Sequence, residues 1–328
     1  MSTAVSIPDL RPLSLGELLD RTFTYYRRNF WLFVGIMAIP QVIVVALNTT
    51  LVGLEAITRS GAEVAGTEPS AALVTGAQMG FALGMVIVFL SYFTLYAVAL
   101  GATTYAISEV HLGRLPTVRG SYRSIRGRAG RLFLLILGVL FRVLGIFILF
   151  VAGLGAIGAV AGALGGPGVA PVLFILLIIF SLLGMLAAAV VAVLMLLRYG
   201  VAVPALLLEN LRPREAIRRS IQLTQGNLGR VFLIIFLMSM VSWTVAMMCQ
   251  GPFLAATMIL AVKSQGAAPL WLQAISNVAG GVGQTVTGPL LMIGLSLLYY
   301  DTRVRKEGLD LQLIMDALEP RPAPPAHP

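Results

Sequence analysis

Residues 172–197 read VLFILLIIFSLLGMLAAAVVAVLMLL and carry no charge. About 20 predominantly apolar residues are enough for a helix to cross the hydrocarbon core of a bilayer. The whole chain has the same character, since 58% of its 328 residues are apolar and only 11% are charged. Soluble domains carry about 25% charged residues. The sequence therefore predicts an all-α fold, a polytopic transmembrane helical bundle.

Similar apolar stretches recur along the chain and predict six spans. Only one charged residue, Arg142, falls inside any of them. A Gly-Gly-Pro-Gly motif at residues 165–168 separates the third span from the fourth, because proline and glycine end helices. The predicted spans cover residues 31–54, 79–106, 132–163, 172–197, 231–262 and 271–300.

The basic residues lie on one side of these spans. Twenty of the 23 Lys and Arg residues fall in segments 1–30, 109–131, 198–230 and 301–328, whereas the opposite loops hold only Arg59 and Lys263. The positive-inside rule then predicts a multi-pass protein of the cell inner membrane with both termini in the cytoplasm. Contact with the anionic lipids of the inner leaflet accounts for the net charge of +9 without a nucleic-acid partner.

A weak internal repeat divides the chain into three units of 99 residues. Thr22, Ser121 and Ser220 are equally spaced, and each lies in a basic stretch that precedes two predicted spans. We therefore predict one membrane domain over residues 1–318 and a disordered, Pro-rich tail over 319–328. The approximate units are 14–108, 116–208 and 212–318. Chance similarity between basic, leucine-rich segments is the alternative explanation.

Each unit opens with a stretch of amphipathic helical spacing. Ser14 and Glu17 have the spacing of a capping box at the first of these stretches. Such helices are expected to lie in the membrane interface on the cytoplasmic side, with their apolar faces in the acyl boundary. The predicted apolar faces are Leu15, Leu19, Phe23, Tyr26 and Phe30; Val118, Tyr122, Ile125, Ala129 and Leu132; and Ile217, Ile221, Thr224, Leu228 and Val231.

Arginines on the other faces of these helices are the candidate contacts to inner-leaflet lipids. They are Arg21, Arg27, Arg28, Arg119, Arg123, Arg126, Arg218 and Arg219. The functional interpretation is a collar that senses lipids or docks a partner. Anchoring and topology alone is the simpler alternative.

The predicted spans contain no Asp, Glu, Lys or His, and the single cysteine, Cys249, lies in an apolar run. We accordingly predict no catalytic residue, no metal ligands and no cofactor site. Arg142 is the candidate functional or structural residue, because it lies about 16 Å beyond Arg131 along a helix and should face the bundle interior or a wet cavity. There it would hold an anionic headgroup or a cluster of carbonyls; snorkelling, or a hydrogen-bond hub with Gln284, Thr285 or Ser242, is the alternative.

The last span is the most polar of the six. Small and polar side chains in a membrane helix favour close contact with neighbouring helices, with a hydrophilic groove as the alternative. The residues concerned are Ser276, Asn277, Gln284, Thr285 and Thr287 and the stretch Gly280-Gly281-Val282-Gly283.

Three stretches carry a resemblance to a known family. They read RPLSLGELLDRTF at residues 11–23, PALLLEN followed by REAIRRS within residues 204–220, and YYDTRVRKEGLD at residues 299–310. In these stretches the chain resembles the glycerophosphoryl diester phosphodiesterase membrane-domain family. In full-length enzymes of that family, a separate (β/α)₈ domain with a His-Arg pair performs catalysis. This sequence has no His-Arg dipeptide and no soluble stretch near the ~250 residues of such a barrel, so the resemblance implies no enzymatic activity here.

The sequence thus predicts a non-enzymatic membrane protein that engages lipids or a partner as a scaffold or regulator. The alternative is a permease or a transporter of lipids or small molecules, which Arg142 and the proline-interrupted spans favour. A continuous cavity that reaches Arg142 would favour transport, and a closed bundle would favour a scaffold.

Overall fold

The computed structural model describes residues 13–64, 71–164, 170–264 and 268–308. Within these ranges every regular element is helical, and six helices are long and apolar enough to cross a membrane, as predicted. The Gly-Gly-Pro-Gly break at residues 165–168 and the tail at 319–328 lie outside the described residues. The helices are α1 Leu15–Arg28, α2 Phe30–Val64, α3 Ala71–His111, α4 Val118–Ile125, α5 Ala129–Leu164, α6 Ala170–Tyr199, α7 Ala202–Leu208, α8 Pro213–Thr224, α9 Leu228–Ser264 and α10 Leu270–Glu307, with a 3₁₀ turn at Arg126–Arg128.

Side-chain caps mark where the short helices begin. The predicted capping box is present at α1, where Ser14 N–H donates to Glu17 Oε2 at 2.7 Å and Glu17 N–H donates to Ser14 Oγ at 3.2 Å. At α8, Pro213 occupies the first turn and Glu215 accepts a hydrogen bond from the backbone N–H of Arg212 at 3.0 Å. These contacts satisfy backbone N–H groups that a helix start leaves without a partner.

The last helix, α10, lies at the centre of the molecule and packs against α9, α2, α3 and α1. Close approach depends on glycine, because a Cβ on Gly283 would lie 3.2 Å from the backbone Cα of Ala246 in α9. The prediction of tight helix contacts along the last span is confirmed at this position. Tyr26 of α1 adds a link to α10 by donating its hydroxyl proton to the carbonyl of Val286.

The α5–α6 hairpin stands apart from this central bundle. Its two helices pack on each other, and α5 also contacts α3, α7 and α8. Only 6% of the most apolar stretch of α5 is buried, against 72% in α10. The hairpin therefore presents most of its apolar surface outward, as a helix facing lipid does.

The order of one short amphipathic helix and two long ones occurs three times, as α1–α2–α3, α4–α5–α6 and α8–α9–α10. Thr22, Ser121 and Ser220, the three equally spaced hydroxyl residues, are all fully buried. Their common environment agrees with the three predicted units. The division into three units of 99 residues stays a prediction.

The short helices use their buried faces differently from the prediction. In α1 the buried side chains are Leu18, Thr22 and Tyr26, whereas Phe23 is exposed. The short helices pack on other helices of the chain, α1 on α10, α4 on α3, and α8 on α7. These helices were expected to place their apolar faces in the acyl boundary. For the side chains that are buried against other helices of the chain, this expectation is wrong. The periodicity argument for α1 did not include Thr22, which can be buried because its hydroxyl donates to the Leu18 carbonyl at 2.8 Å.

Candidate functional site

The charged residues gather at one end of the bundle, and Asp301 of α10 is the centre of the first cluster. Its side chain is fully buried, and Oδ1 accepts a hydrogen bond from the backbone N–H of Leu13 at 2.7 Å. Oδ2 lies 3.3 Å from Nη2 of Arg230 and 3.1 Å from Nε of Arg305. Both arginines also donate to the Leu13 carbonyl. One carboxylate thus fastens the chain just before α1 to α9 and α10.

A second cluster surrounds Glu209, which follows α7. Its carboxylate accepts from Nε of Arg219 at 3.0 Å and from the hydroxyl of Tyr299 at 2.6 Å. Glu307, at the end of α10, accepts from Arg219 Nη2 at 2.8 Å and from Arg303 Nε at 3.1 Å. Burial alone would lower the pKa of Arg219, but the hydrogen bonds to the two carboxylates outweigh it and raise that pKa. Arg219 is therefore a permanent cation that neutralises acids of its own chain.

Basic side chains also close the carboxyl ends of short helices. Lys306 Nζ donates to the carbonyls of Gln222 and Gln225 at 2.8 and 2.6 Å, at the end of α8. Arg128 Nη1 donates to the Leu207 carbonyl at 3.3 Å, at the end of α7. The last carbonyls of a helix carry partial negative charge, so cations are favoured there.

An aromatic cluster joins α1, α3 and α10 beside these ion pairs. The hydroxyl of Tyr25 lies 3.2 Å from Nδ1 of His111, and the His111 ring stacks on Tyr300 with centroids 5.1 Å apart. Nε2 of His111 is buried and has no hydrogen-bond partner among the described residues. Sequence reasoning missed this cluster, since its members are 86 and 189 residues apart in the chain.

Six of the eight predicted lipid contacts are exposed at this end of the bundle and have no carboxylate partner among the described residues. We call these six residues the basic collar: Arg27, Arg28, Arg119, Arg123, Arg126 and Arg218. Thr24, Arg27 and Arg28 line an open cleft of about 350 Å³. Arg21 is half-buried. Arg219 corrects the prediction, because its guanidinium is bound to Glu209 and Glu307 instead of facing lipid.

Arg142 does not face the bundle interior, so the expectation that it would lie there is wrong. Its side chain is exposed on α5, and Nη1 donates to the Gly138 carbonyl at 2.8 Å. Its exposure agrees with the small buried share of α5, which is 6% in the most apolar stretch. A charge at the centre of a membrane helix costs about 2.5–3.5 kcal/mol on insertion scales. The exposed guanidinium has one hydrogen bond to its own helix, so in a membrane its remaining donors need an external acceptor.

Gln284 lies in a different part of the molecule from Arg142. It lines a small cavity between α2, α3 and α10 whose accessible volume is about 10 Å³. That volume is close to the space that one water molecule needs. The other lining residues are Met37, Pro40, Gln41, Val44, Tyr92 and Tyr96, and Arg142 is not among them.

Within the described ranges, no three side chains of the types His, Cys, Asp and Glu come close enough to hold a metal ion. Cys249 is half-buried, and its Cβ would lie 3.5 Å from a Cβ placed on Gly283. It is thus a small packing residue at the α9–α10 contact. Asp301, Glu209 and Glu307 are held by arginines, while the arginines of the basic collar remain exposed at this end.

Sequence reasoning missed Asp301, Glu209 and Arg230 as the organising residues of the charged end. A signal was present in part, because Asp301 lies in the stretch YYDTRVRKEGLD and Glu209 in the stretch PALLLEN. Acidic side chains in or beside a membrane-spanning helix are rare and are usually paired, so a partner for Asp301, which directly follows the predicted span 271–300, could have been expected. The identity of that partner depends on the fold.

Comparison with known proteins gives a family and no activity. The model of a family described as "Domain of unknown function (DUF7847)" matches residues 13–301. No curated protein and no solved structure matches the chain. The chain belongs to the DUF7847 family.

Proposed function

We propose that this member of the DUF7847 family is a non-enzymatic scaffold or regulator of the inner membrane that binds anionic phospholipid headgroups through its basic collar. In this proposal the charged end faces the cytoplasm, where anionic lipids attract basic segments. The resemblance to the glycerophosphoryl diester phosphodiesterase membrane-domain family remains a prediction about ancestry.

The observation that carries the proposal is the division of arginines into two classes. Arg219, Arg230, Arg303 and Arg305 are bound to Asp301, Glu209 and Glu307 inside the charged end. The basic collar lies outside these pairs, on the outer faces of α1, α4 and α8 and at the turn after α4. Asp301, Glu209 and Glu307 are therefore occupied by other arginines, and the arginines of the collar are left for an external anion.

The collar has the right place and strength for headgroups. It lies where the short helices meet the ends of long apolar helices, and in this proposal that position is the level of the lipid phosphates. Each Lys or Arg near an anionic surface contributes about 1 kcal/mol. The three arginines around α4, Arg119, Arg123 and Arg126, should together contribute on the order of 3 kcal/mol.

A lipid-competition experiment on the purified full-length protein tests the proposal. The protein is reconstituted into bilayer discs of phosphatidylglycerol and phosphatidylcholine, and the annular lipids are quantified by mass spectrometry. We expect enrichment of phosphatidylglycerol that falls as salt is raised, because exposed charges are screened. The variant R119Q/R123Q/R126Q should lose most of the enrichment contributed by α4.

Two controls make the result specific. The variant R119K/R123K/R126K keeps the charge and should keep the enrichment. The variant K263Q removes one positive charge at the opposite end of α9 and should change nothing. Equal enrichment in the wild type and the triple glutamine variant would contradict the proposal.

The permease alternative has one observation in its favour, the cavity beside Pro40 with Gln41 and Gln284 in its lining. A proline inside a membrane helix frees backbone groups that can line a substrate path. However, this cavity has room for about one water molecule, and Arg142 is exposed on the far hairpin. By the criterion of a continuous cavity that reaches Arg142, the observations support the scaffold.

A further inference from the structure

Arg142 lies deep in the membrane and points back toward the charged end. It follows Arg131 by 11 residues, or about 16 Å along a helix, roughly half of the hydrocarbon thickness. Helical side chains lean toward the amino terminus of their helix. Nη1 of Arg142 accordingly reaches the Gly138 carbonyl, one turn closer to the charged end. The guanidinium therefore sits about 10 Å below the level of Arg131.

The protein provides a hydrogen-bond acceptor for only one of the N–H donors of this guanidinium. An arginine side chain carries five N–H donors, and the single hydrogen bond to Gly138 is made by Nη1. The rest of the group is exposed on the outer face of α5. In a bilayer that face meets acyl chains, which offer no acceptor, so an acceptor has to come from a headgroup or from another protein surface.

A second copy of this chain is a poor source of the missing anion. The predicted spans contain no Asp or Glu, and Asp301, Glu209 and Glu307 at the charged end are held in ion pairs with Arg219, Arg230 and Arg305. Another copy packed on α5 would therefore bring no carboxylate to the depth of Arg142. A phospholipid phosphate is anionic, accepts bidentate hydrogen bonds from arginine, and is present in every membrane leaflet.

The surface around Arg142 has the shape for a lipid. Gly138, Arg142 and Gly145 share one face of α5 at spacings of four and three residues. A Cβ on Gly145 would meet nothing within 4 Å, so the face of α5 one turn beyond Arg142 is open to an acyl chain. The neighbouring apolar side chains are exposed and can contact acyl chains: Phe141, Leu144, Ile148 and Leu149.

We infer that Arg142 and the open face of α5 at Gly145 form a phospholipid site, in which the phosphate of one lipid is drawn below the headgroup plane to the guanidinium and its acyl chains cross the open face. The site is separate from the basic collar. It depends on the membrane position of α5 and not on the proposed function. A lipid held here is shielded from salt by the surrounding acyl chains, whereas lipids at the collar are screened.

Native mass spectrometry of the full-length protein tests the site with 1-palmitoyl-2-oleoyl-phosphatidylglycerol as the probe. The wild type, washed in neutral detergent at high salt, should retain one such lipid. The diacylglycerol with the same chains and no phosphate should not replace it. The variant R142Q should lower occupancy about tenfold or more, as expected for loss of a charge-assisted contact. The variant G145L leaves Arg142 in place but fills the open face, and it should lower occupancy to a smaller extent by taking the space of an acyl chain.

Matched substitutions separate binding from folding. Gly153 lies on the same face of α5, three turns further along, and a Cβ there also meets nothing within 4 Å. The variant G153L should therefore keep the lipid. R142Q should lose it, and R142K, which cannot bind in a bidentate manner, should retain it at intermediate occupancy.

Three outcomes would overturn the inference. The first is the same occupancy in G145L, G153L and the wild type. The second is displacement of the lipid by millimolar inorganic phosphate, which would indicate a free-anion site. The third is a dimer in the wild type that becomes a monomer in R142Q, which would assign the face to a second copy. Loss of salt-sensitive enrichment in the collar variants with retention of this lipid would separate the two sites.

Discussion

The central helix α10 and the two helices of the α5–α6 hairpin are all long and apolar, yet their surroundings are opposite. In the most apolar stretch of each helix, 72% of residues are buried in α10, against 6% in α5 and 11% in α6. The least apolar of the six helices is thus the most buried. In a membrane the lipid solvates apolar side chains, so small and polar residues mark the helix contacts.

The largest difference in stability between the two regions should come from the buried carboxylate of Asp301. The described residues of the α5–α6 hairpin include no buried carboxylate of this kind. Breaking a buried ion pair by removing one partner costs about 3–5 kcal/mol, because the remaining charges lose their compensation. We expect D301N to destabilise the protein by about 3 kcal/mol, at the lower limit because Arg305 is partly exposed. The measurement is the unfolding midpoint in a denaturing-detergent titration.

The half-exposed pair of Glu109 and Arg114 supplies the control for this prediction. E109Q should cost less than about 1 kcal/mol, as exposed pairs do. If D301N and E109Q lowered the unfolding midpoint equally, the ion pairs of Asp301 would not be a major source of the stability of the bundle.

A second way to sharpen the comparison uses one substitution in both regions. G283A places a methyl group 3.2 Å from the backbone of Ala246, so α9 and α10 must separate slightly. Overpacking of this kind costs about 1–3 kcal/mol. In the hairpin, G155A adds a methyl group with nothing within 4 Å and should leave stability unchanged or slightly higher. Thermal unfolding of the two variants in the same detergent compares them directly, and a larger loss in G155A would reverse our assignment of the central helix pair.

The smallest expected effect concerns the junction between the two regions, where Glu209 follows α7 and binds Arg219 of α8 and Tyr299 of α10. E209Q removes the charge from a group whose side chain is 19% exposed, so solvent screening limits the loss to about 1 kcal/mol. E215Q makes the same charge change in a helix cap that glutamine can preserve, and it should be neutral. Equal unfolding midpoints for the two variants would show that the junction does not depend on Glu209.

Much of this fold follows from the sequence, because charge-free stretches of about 20 residues have one favourable place. The six helices, the capping box at Ser14 and the glycine contacts of α10 were all predicted, and each depends on a local pattern. The second cluster was not, since Glu209 and Tyr299 are 90 residues apart and only packing brings them together.

The errors have a common physical origin. The buried stripe of α1 includes Thr22, which can be buried because it bonds to its own helix. The prediction for Arg142 assumes that the bundle interior or a wet cavity is more polar than the lipid-facing surface. In the structure the residue lies on the exposed surface of α5. Local patterns state which face of a helix is apolar, whereas the neighbours decide which face is covered.

The attachment of Leu13 has a consequence for how the protein is made. Its N–H group is held by Asp301, which leaves the ribosome 288 residues later. At translation rates of about 5–20 residues per second, this interval is on the order of tens of seconds. During that time the first two spans have already entered the bilayer while the start of α1 still lacks its anchor. Assembly is therefore completed only when the final helix is made. A ribosome stalled shortly before codon 301 would leave a chain whose earlier spans are inserted but whose Leu13 lacks its contact with Asp301.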